Sequence, residues 1–133
     1  MIDLRIDFDG IKPIYIQIAE AIEDDIIAGK LNEGFPAYSQ LVLSRELGIN
    51  PATAAKGINQ LVGKGILEKQ RGLSMVVADG AVKRLLSERR DTEIWTMVES
   101  LVDGAVKVGL SKENIIAKIT ELFKCKDGSG ANE

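Results

Sequence analysis

Histidine is absent from this chain, and cysteine occurs once, as Cys125. Without histidine, the commonest general acid–base and the commonest nitrogen ligand for metals are both missing. A single cysteine excludes an internal disulfide and fits a reducing cytoplasm. Lys124 and Lys126 flank it near the C-terminus, too weak an arrangement to count as thiol activation. No glycine-rich phosphate loop and no metal-ligand spacing is present. The chain is therefore not expected to be an enzyme, and nothing in it calls for a cofactor or a metal. Long apolar runs are missing too: none approaches the roughly 18–20 residues that cross a bilayer. The first ten residues, MIDLRIDFDG, are acidic and lack the basic-then-apolar order of a signal peptide. The expected location is the cytoplasm.

What is present is a globular balance, 45% hydrophobic and 28% charged, over 133 residues. That length suits one domain, or a small domain with an appendage, and a further interface would help to stabilise it. The net charge of -3 is unevenly spread. Residues 1–37 hold three basic and eight acidic side chains, residues 38–72 five and two, and residues 73–133 nine and ten. The middle segment alone is basic, so it is where an anionic partner would bind.

Alternating Ile2, Leu4, Ile6 and Phe8 read as a short strand or an extended arm. A helix follows from Pro13, with Ile14, Ile18, Ala21, Ile22 and Ile26 on one face and Gly29 as its left-handed stop. The segment LNEGFPA reads as a turn with room for two or three strand residues. Ser39 caps a short helix carrying Leu41, Leu43 and Leu47, which Gly48 ends. Asn50 and Pro51 then open a third helix that is expected to bury Ile58, Leu61 and Val62. ILEKQ and SMVVA flank the turn RGL as a β-hairpin. From Asp79, an N-cap candidate, the pattern is helical. Val82, Leu85 and Leu86 form a patch, SERRDTE interrupts it, and a last helix is expected to turn Ile115, Ile116, Ile119, Leu122 and Phe123 inward.

Two short helices around Gly48, with Leu43, Leu47, Ile49 and Ile58 inside and small Ser44 and Ala54 at the crossing, satisfy the demands of a helix-turn-helix. Two helices around a glycine are common, and the pair alone does not settle the matter. The hairpin that follows at once shifts the reading toward DNA binding, because it supplies a wing with Arg71 and Gly72 at its tip. The start of the third helix offers unpaired N–H groups and a positive dipole end to a phosphate. Asn50, Thr53 and Lys56 carry donors for phosphates or base edges. Ala52 and Ala55 leave room for a groove and for thymine methyls, although they read equally well as helix formers. Lys56 and Lys64 could be solvated surface lysines; Lys56, one turn after Thr53, has the better claim to contact.

The stretches KPIYIQIAEAIEDDIIAGKL and SQLVLSRELGINPATAAKGINQLVGKGILEKQRG resemble the DNA-binding domain of the GntR regulators. The short two-helix C-terminus resembles the YtrA subfamily. The resemblance covers about residues 10–123, and INPATAAKGINQLV is its most specific piece. It implies a bacterial, homodimeric, repressor-type factor on a palindromic operator, often one controlling an ABC transporter operon. It places Ser39, Asn50, Pro51, Thr53, Lys56, Arg71 and Gly72 at DNA-facing positions. Two departures matter. Tyr38 and Leu41 stand where the family commonly has proline and a DNA-binding arginine, so Leu41 is expected in the core. Ser74 and Val76 replace a second wing glycine and an aromatic. Tyr38, Ala52 and Ser74 complete the candidate DNA-contacting set.

Beyond the hairpin, Ile94, Val98, Leu101, Ala105 and Val108 repeat at 4-3-4-3 spacing, the seam of a helix that packs on a partner helix. With Trp95, Val102, Ile116, Ile119 and Phe123 they form the candidate dimer interface. A helical hairpin folded back on its own domain is the alternative. The expected fold is mainly α with a small β-hairpin: a winged helix-turn-helix domain over 10–78, a C-terminal two-helix dimerisation region over 79–124 and a disordered tail over 125–133. Any small-molecule effector must lie between helices or at the dimer interface. The competing function is a winged-helix protein-interaction module that binds no specific DNA sequence.

Overall fold

The computed structural model describes residues 4–70, 72 and 75–127. Its elements run α1 (Ile14–Ile27), α2 (Gln40–Leu47), α3 (Pro51–Gly63), β1 (Leu67–Lys69), β2 (Met75–Val77), α4 (Ala81–Glu88), a π-helical segment (Arg89–Ile94), α5 (Trp95–Val108) and α6 (Lys112–Asp127). The chain divides into two compact units, Met1–Glu88 and Arg89–Glu133.

The first unit is built on α1. Ile18, Ala19, Ile22 and Ile26 recur at helical spacing and are almost fully buried. They meet Leu43 of α2, Ala54, Ile58 and Leu61 of α3, Ile66, Leu67 and Val77 of the hairpin, and Ala81 and Leu85 of α4 in one core. α3 departs from expectation at one place. Val62, expected inside, is 37% exposed, whereas Gly57 is among the buried residues of this helix. A Cβ on Gly57 would lie 3.0 Å from the Tyr15 carbonyl oxygen and 3.1 Å from Ile18 Cγ2. A bare residue is therefore what lets α3 cross α1 at this distance.

The hairpin pairs antiparallel, Leu67 with Val77, Glu68 with Val76 and Lys69 with Met75. Its other edge is also occupied. Gly34 N donates to the Val77 carbonyl, Val77 N to Phe35 and Ala37 N to Met75, with an isolated bridge between Pro36 and Val76. The turn after α1 thus clamps the base of the wing. Residues 4–8 form no strand. Instead Leu4 and Ile6 pack on the core, and the Gln17 side chain accepts from Asp7 N and donates to the Asp7 carbonyl.

Two polar contacts tie distant segments. The Glu33 carboxylate accepts from Gly80 N at 2.9 Å and Val82 N at 3.0 Å, capping α4 from the turn that follows α1. Those two bonds hold its pKa below the usual carboxylate value. Lys64, at the C-cap of α3, reaches Glu23 of α1 at 2.5 Å and Glu88 of α4 at 2.9 Å. Partial burial pulls this ammonium's pKa down, but the two carboxylates outweigh it, and the pKa rises. Lys64 is thus a structural ion-pair residue rather than a solvated lysine.

In the second unit, the π-helical segment coincides with the charged break RRDTEI, and α5 ends at Gly109 in left-handed geometry. Ala105 is the one buried hydrophobic residue among those described in this unit. No residue of α6 is fully buried: Ile116, Ile119, Leu122 and Phe123, expected to face inward, are exposed, and Ile115 is half-buried. The helix continues through Cys125 to Asp127, past the point where a disordered tail was expected to begin; the rest of that tail, residues 128–133, lies outside the described residues.

Candidate nucleic-acid interface

The helix-turn-helix is set by two caps and one left-handed residue. Ser39 is extended, and its Oγ accepts from Val42 N at 3.1 Å to start α2. Gly48, at φ 67° and ψ 39°, ends α2 and donates to the Ser44 carbonyl, so the chain turns within three residues. Asn50 then caps α3, its Oδ1 accepting from Ala52 N at 2.8 Å, with Pro51 at the first helical position.

This cap changes the expected phosphate chemistry. Ala52 N is held by the Asn50 side chain, Thr53 N and Ala54 N by the Asn50 carbonyl, and Pro51 has no N–H. The start of α3 has no free donors among these residues, contrary to the expectation of unpaired N–H groups there. What remains is the dipole and the Asn50 amide nitrogen, because only the oxygen of that amide is committed.

Along α3, Asn50, Pro51, Ala52, Lys56 and Asn59 are exposed, while Thr53 and Ala55 are half-buried. Ala52 and Asn59, seven residues apart, fall on the same line of the helix. Beside this stripe, Ser39, Gln40, Ala55, Ile58, Asn59, Lys69 and Met75 line a shallow concavity of about 210 Å³. The fold thus joins the start of α2, the middle of α3 and the near strand of the wing on one face. Ser39 and Ala55 were expected at such a face; Gln40, Asn59 and Lys69 were not singled out. The signal for Asn59 was its place one turn beyond Lys56, and for Lys69 its place in the basic segment.

Other candidates sit differently. Tyr38 packs against the core, and its hydroxyl donates to Asp25 of α1 at 3.2 Å. Leu41, expected in the core, is 64% exposed. The reason is rotational: α2 turns Leu43 and Ser44 inward, and two residues of helix place Leu41 on the opposite side from Leu43. Gly72 is exposed at φ 75°, in the left-handed region that favours glycine. Arg71 and Ser74 lie outside the described residues. The candidate dimer residues are all in the second unit. Ile94, Trp95, Val98, Leu101 and Val102 are exposed on its π-helical segment and α5, Ile116, Ile119 and Phe123 on α6, and Ala105 is 8% exposed. α5 and α6 border an open apolar cleft of about 340 Å³ lined by Val102, Ala105, Val106, Leu110, Lys112, Ile115 and Ile116.

This mainly helical fold with its two-stranded hairpin is a winged helix-turn-helix. No family model matches the chain. It is 28% identical over 112 residues to the HTH-type transcriptional regulator YhcF of Bacillus subtilis, covering 84% of this chain and 91% of that protein. A GntR family transcriptional regulator from Listeria monocytogenes superposes with a TM-score of 0.66 at 28% identity, over 86% of this chain and 98% of that one. YtrA from Sulfolobus acidocaldarius, a GntR-family transcription factor, gives 0.61 at 29% identity, over 74% and 97%. Longer relatives extend well past it: the chain spans 30% of the Escherichia coli repressor MngR, at 34% identity over 73 residues. In fold and sequence alike the chain is similar to transcriptional regulators of the GntR type. Among the described residues no helix is long and apolar enough to cross a membrane.

Proposed function

We propose that this chain is a YtrA-type repressor that binds a palindromic DNA operator as a homodimer. The observation that carries the reading is the single face on which the stripe of α3 (Ala52, Lys56, Asn59) adjoins the capped start of α2 and Lys69 of the wing. A helix with alanines on its outer face fits deep in a major groove about 12 Å wide. Lys56, Lys69 and Arg71 neutralise phosphates, while Asn50 and Thr53 offer donors to phosphates or base edges. Ser39 lines the same face, and the family likeness assigns the wing positions of Gly72 and Ser74 to the same contact.

One winged helix reads few base pairs, and two-fold symmetry doubles them. The exposed apolar side chains of α5 and α6, Trp95, Leu101, Val102, Ile116 and Phe123 among them, are the surface a second copy would cover. The α5–α6 cleft is the space in which a small-molecule effector would bind. Control of an ABC transporter operon follows from the YtrA likeness and is part of the same proposal.

The test is binding to DNA from upstream of the protein's own operon, followed by anisotropy across a salt series. Log affinity should fall linearly with log salt, and Lys56→Ala and Arg71→Ala should each flatten the slope by about 0.9. Salt-independent binding would leave a protein-interaction module as the better reading, and wild-type slopes in both variants would refute the contact assignment.

A further inference from the structure

Lys56 is exposed on α3, yet its ammonium does not stand free in solvent. Its Nζ lies 4.2 Å from the centroid of the Tyr15 ring, in the first turn of α1. The contact follows from the close crossing of the two helices. Gly57, the next residue, lies against the Tyr15 carbonyl and Ile18, so the side chain of its neighbour emerges beside the Tyr15 ring. A lysine side chain is otherwise among the most mobile on a protein, and ordering it on binding an anion has an entropic cost. The ring also differs from a carboxylate partner in one respect. It attracts the cation through its face without neutralising it, so the ammonium keeps its charge and its donors for a further acceptor.

We propose that Tyr15 is a positioning residue for DNA binding: its ring holds Lys56 on the flank of the recognition helix, ready to meet a phosphate. This rests on the DNA-binding reading above. Tyr15 touches no DNA in this scheme, and it acts only through Lys56. An exposed cation–π contact of this kind corresponds to an effect of about two- to fivefold on an equilibrium constant.

The experiment uses the full chain and a duplex selected by the wild-type protein from a random pool. Tyr15→Leu should weaken binding to that duplex about two- to fivefold, and Tyr15→Phe, which keeps the ring, should match the wild type. In a Lys56→Ala background, Tyr15→Leu should change nothing further. The ε-methylene protons of Lys56 should be shifted upfield by the ring current in the wild type and in Tyr15→Phe, and not in Tyr15→Leu. An equal loss from Tyr15→Leu in the Lys56→Ala background would overturn the proposal, since Tyr15 would then act independently of Lys56. Tighter binding by Tyr15→Leu would overturn it as well, because the ring would then be withholding the lysine. If the wild-type protein selects no duplex, the DNA-binding reading itself fails. A normal selection without the ring-current shift refutes the positioning role alone.

Discussion

Replacing Gly57 by alanine tests whether the bare crossing of α1 and α3 is a packing requirement. Taken alone, alanine in a helix interior should stabilise the protein by about 1 kcal/mol over glycine. The geometry opposes that gain. The new methyl would sit 3.0 Å from the Tyr15 carbonyl oxygen, 3.1 Å from Ile18 Cγ2 and 3.2 Å from Ile18 Cβ. None of these atoms is the loose end of a side chain. Ile18 is fully buried, and a β-branched residue in a helix has one strongly preferred χ1, so its Cγ2 cannot swing aside. Relief requires α1 and α3 to separate by a few tenths of an ångström, an overpacking strain of about 1–3 kcal/mol. The net expectation is destabilisation by about 1 kcal/mol, or a fall in Tm of about 4–8 °C for a unit of this size. Gly63→Ala is the internal control, being in the same helix with nothing within 4 Å of its Cβ. That variant should be neutral or stabilised by up to about 1 kcal/mol. Thermal melts and urea unfolding of both variants supply the comparison, provided m-values match the wild type. A Gly57→Ala protein as stable as Gly63→Ala, or more so, would refute the packing argument.

Three further outcomes are expected. Glu33 has a lowered pKa in the folded state, so its stabilising bonds to Gly80 N and Val82 N are present above its ordinary value of 4.5 and lost as pH falls through the folded value. Glu33→Gln should therefore lower stability at neutral pH and flatten the stability–pH curve below about pH 4.5, as read by urea unfolding across a pH series. Leu101→Glu should leave the winged-helix unit folded by circular dichroism and convert a dimer into a 14.4 kDa monomer in sedimentation equilibrium; an unchanged mass would exclude this face as the interface. Lys69→Ala should flatten the salt slope of DNA binding by about 0.9, as for Lys56, and a wild-type slope would remove the near strand of the wing from the contact.

Much of the first unit was legible because its signals are local. Ser39 and Asn50 cap the helices they precede, Pro51 starts α3, and Gly48 takes a left-handed conformation that a side chain would strain. Helical spacing placed Ile18, Ile22, Ile26, Leu43, Ile58 and Leu61 inside, and all six are buried. The misreadings came from helix faces. Leu41 is apolar, but nothing in its spacing tells a reader that α2 rotates it outward. Gly57 inverts the ordinary rule because the α1 backbone passes so close that the residue facing it must be the smallest, while Val62, five residues on, is turned to a different side of α3. For α6, only Ile115 is partly covered, beside Ala105 of α5, and Ile116, Ile119, Leu122 and Phe123 stay exposed.

Sequence by itself determined most of the elements and their order in the first unit, since caps, turns and periodicity act over a few residues. It also concentrated positive charge in the segment that forms the helix-turn-helix and wing. The tertiary structure alone decided which side chains share a face. It joined Ser39, Gln40, Asn59 and Lys69 across three elements, sent the Glu33 carboxylate to the start of α4, and set Lys56 over the ring of Tyr15, 41 residues earlier in the chain. Such contacts depend on helix rotation and crossing distance, which are fixed by close packing across the whole core rather than by any neighbouring residue.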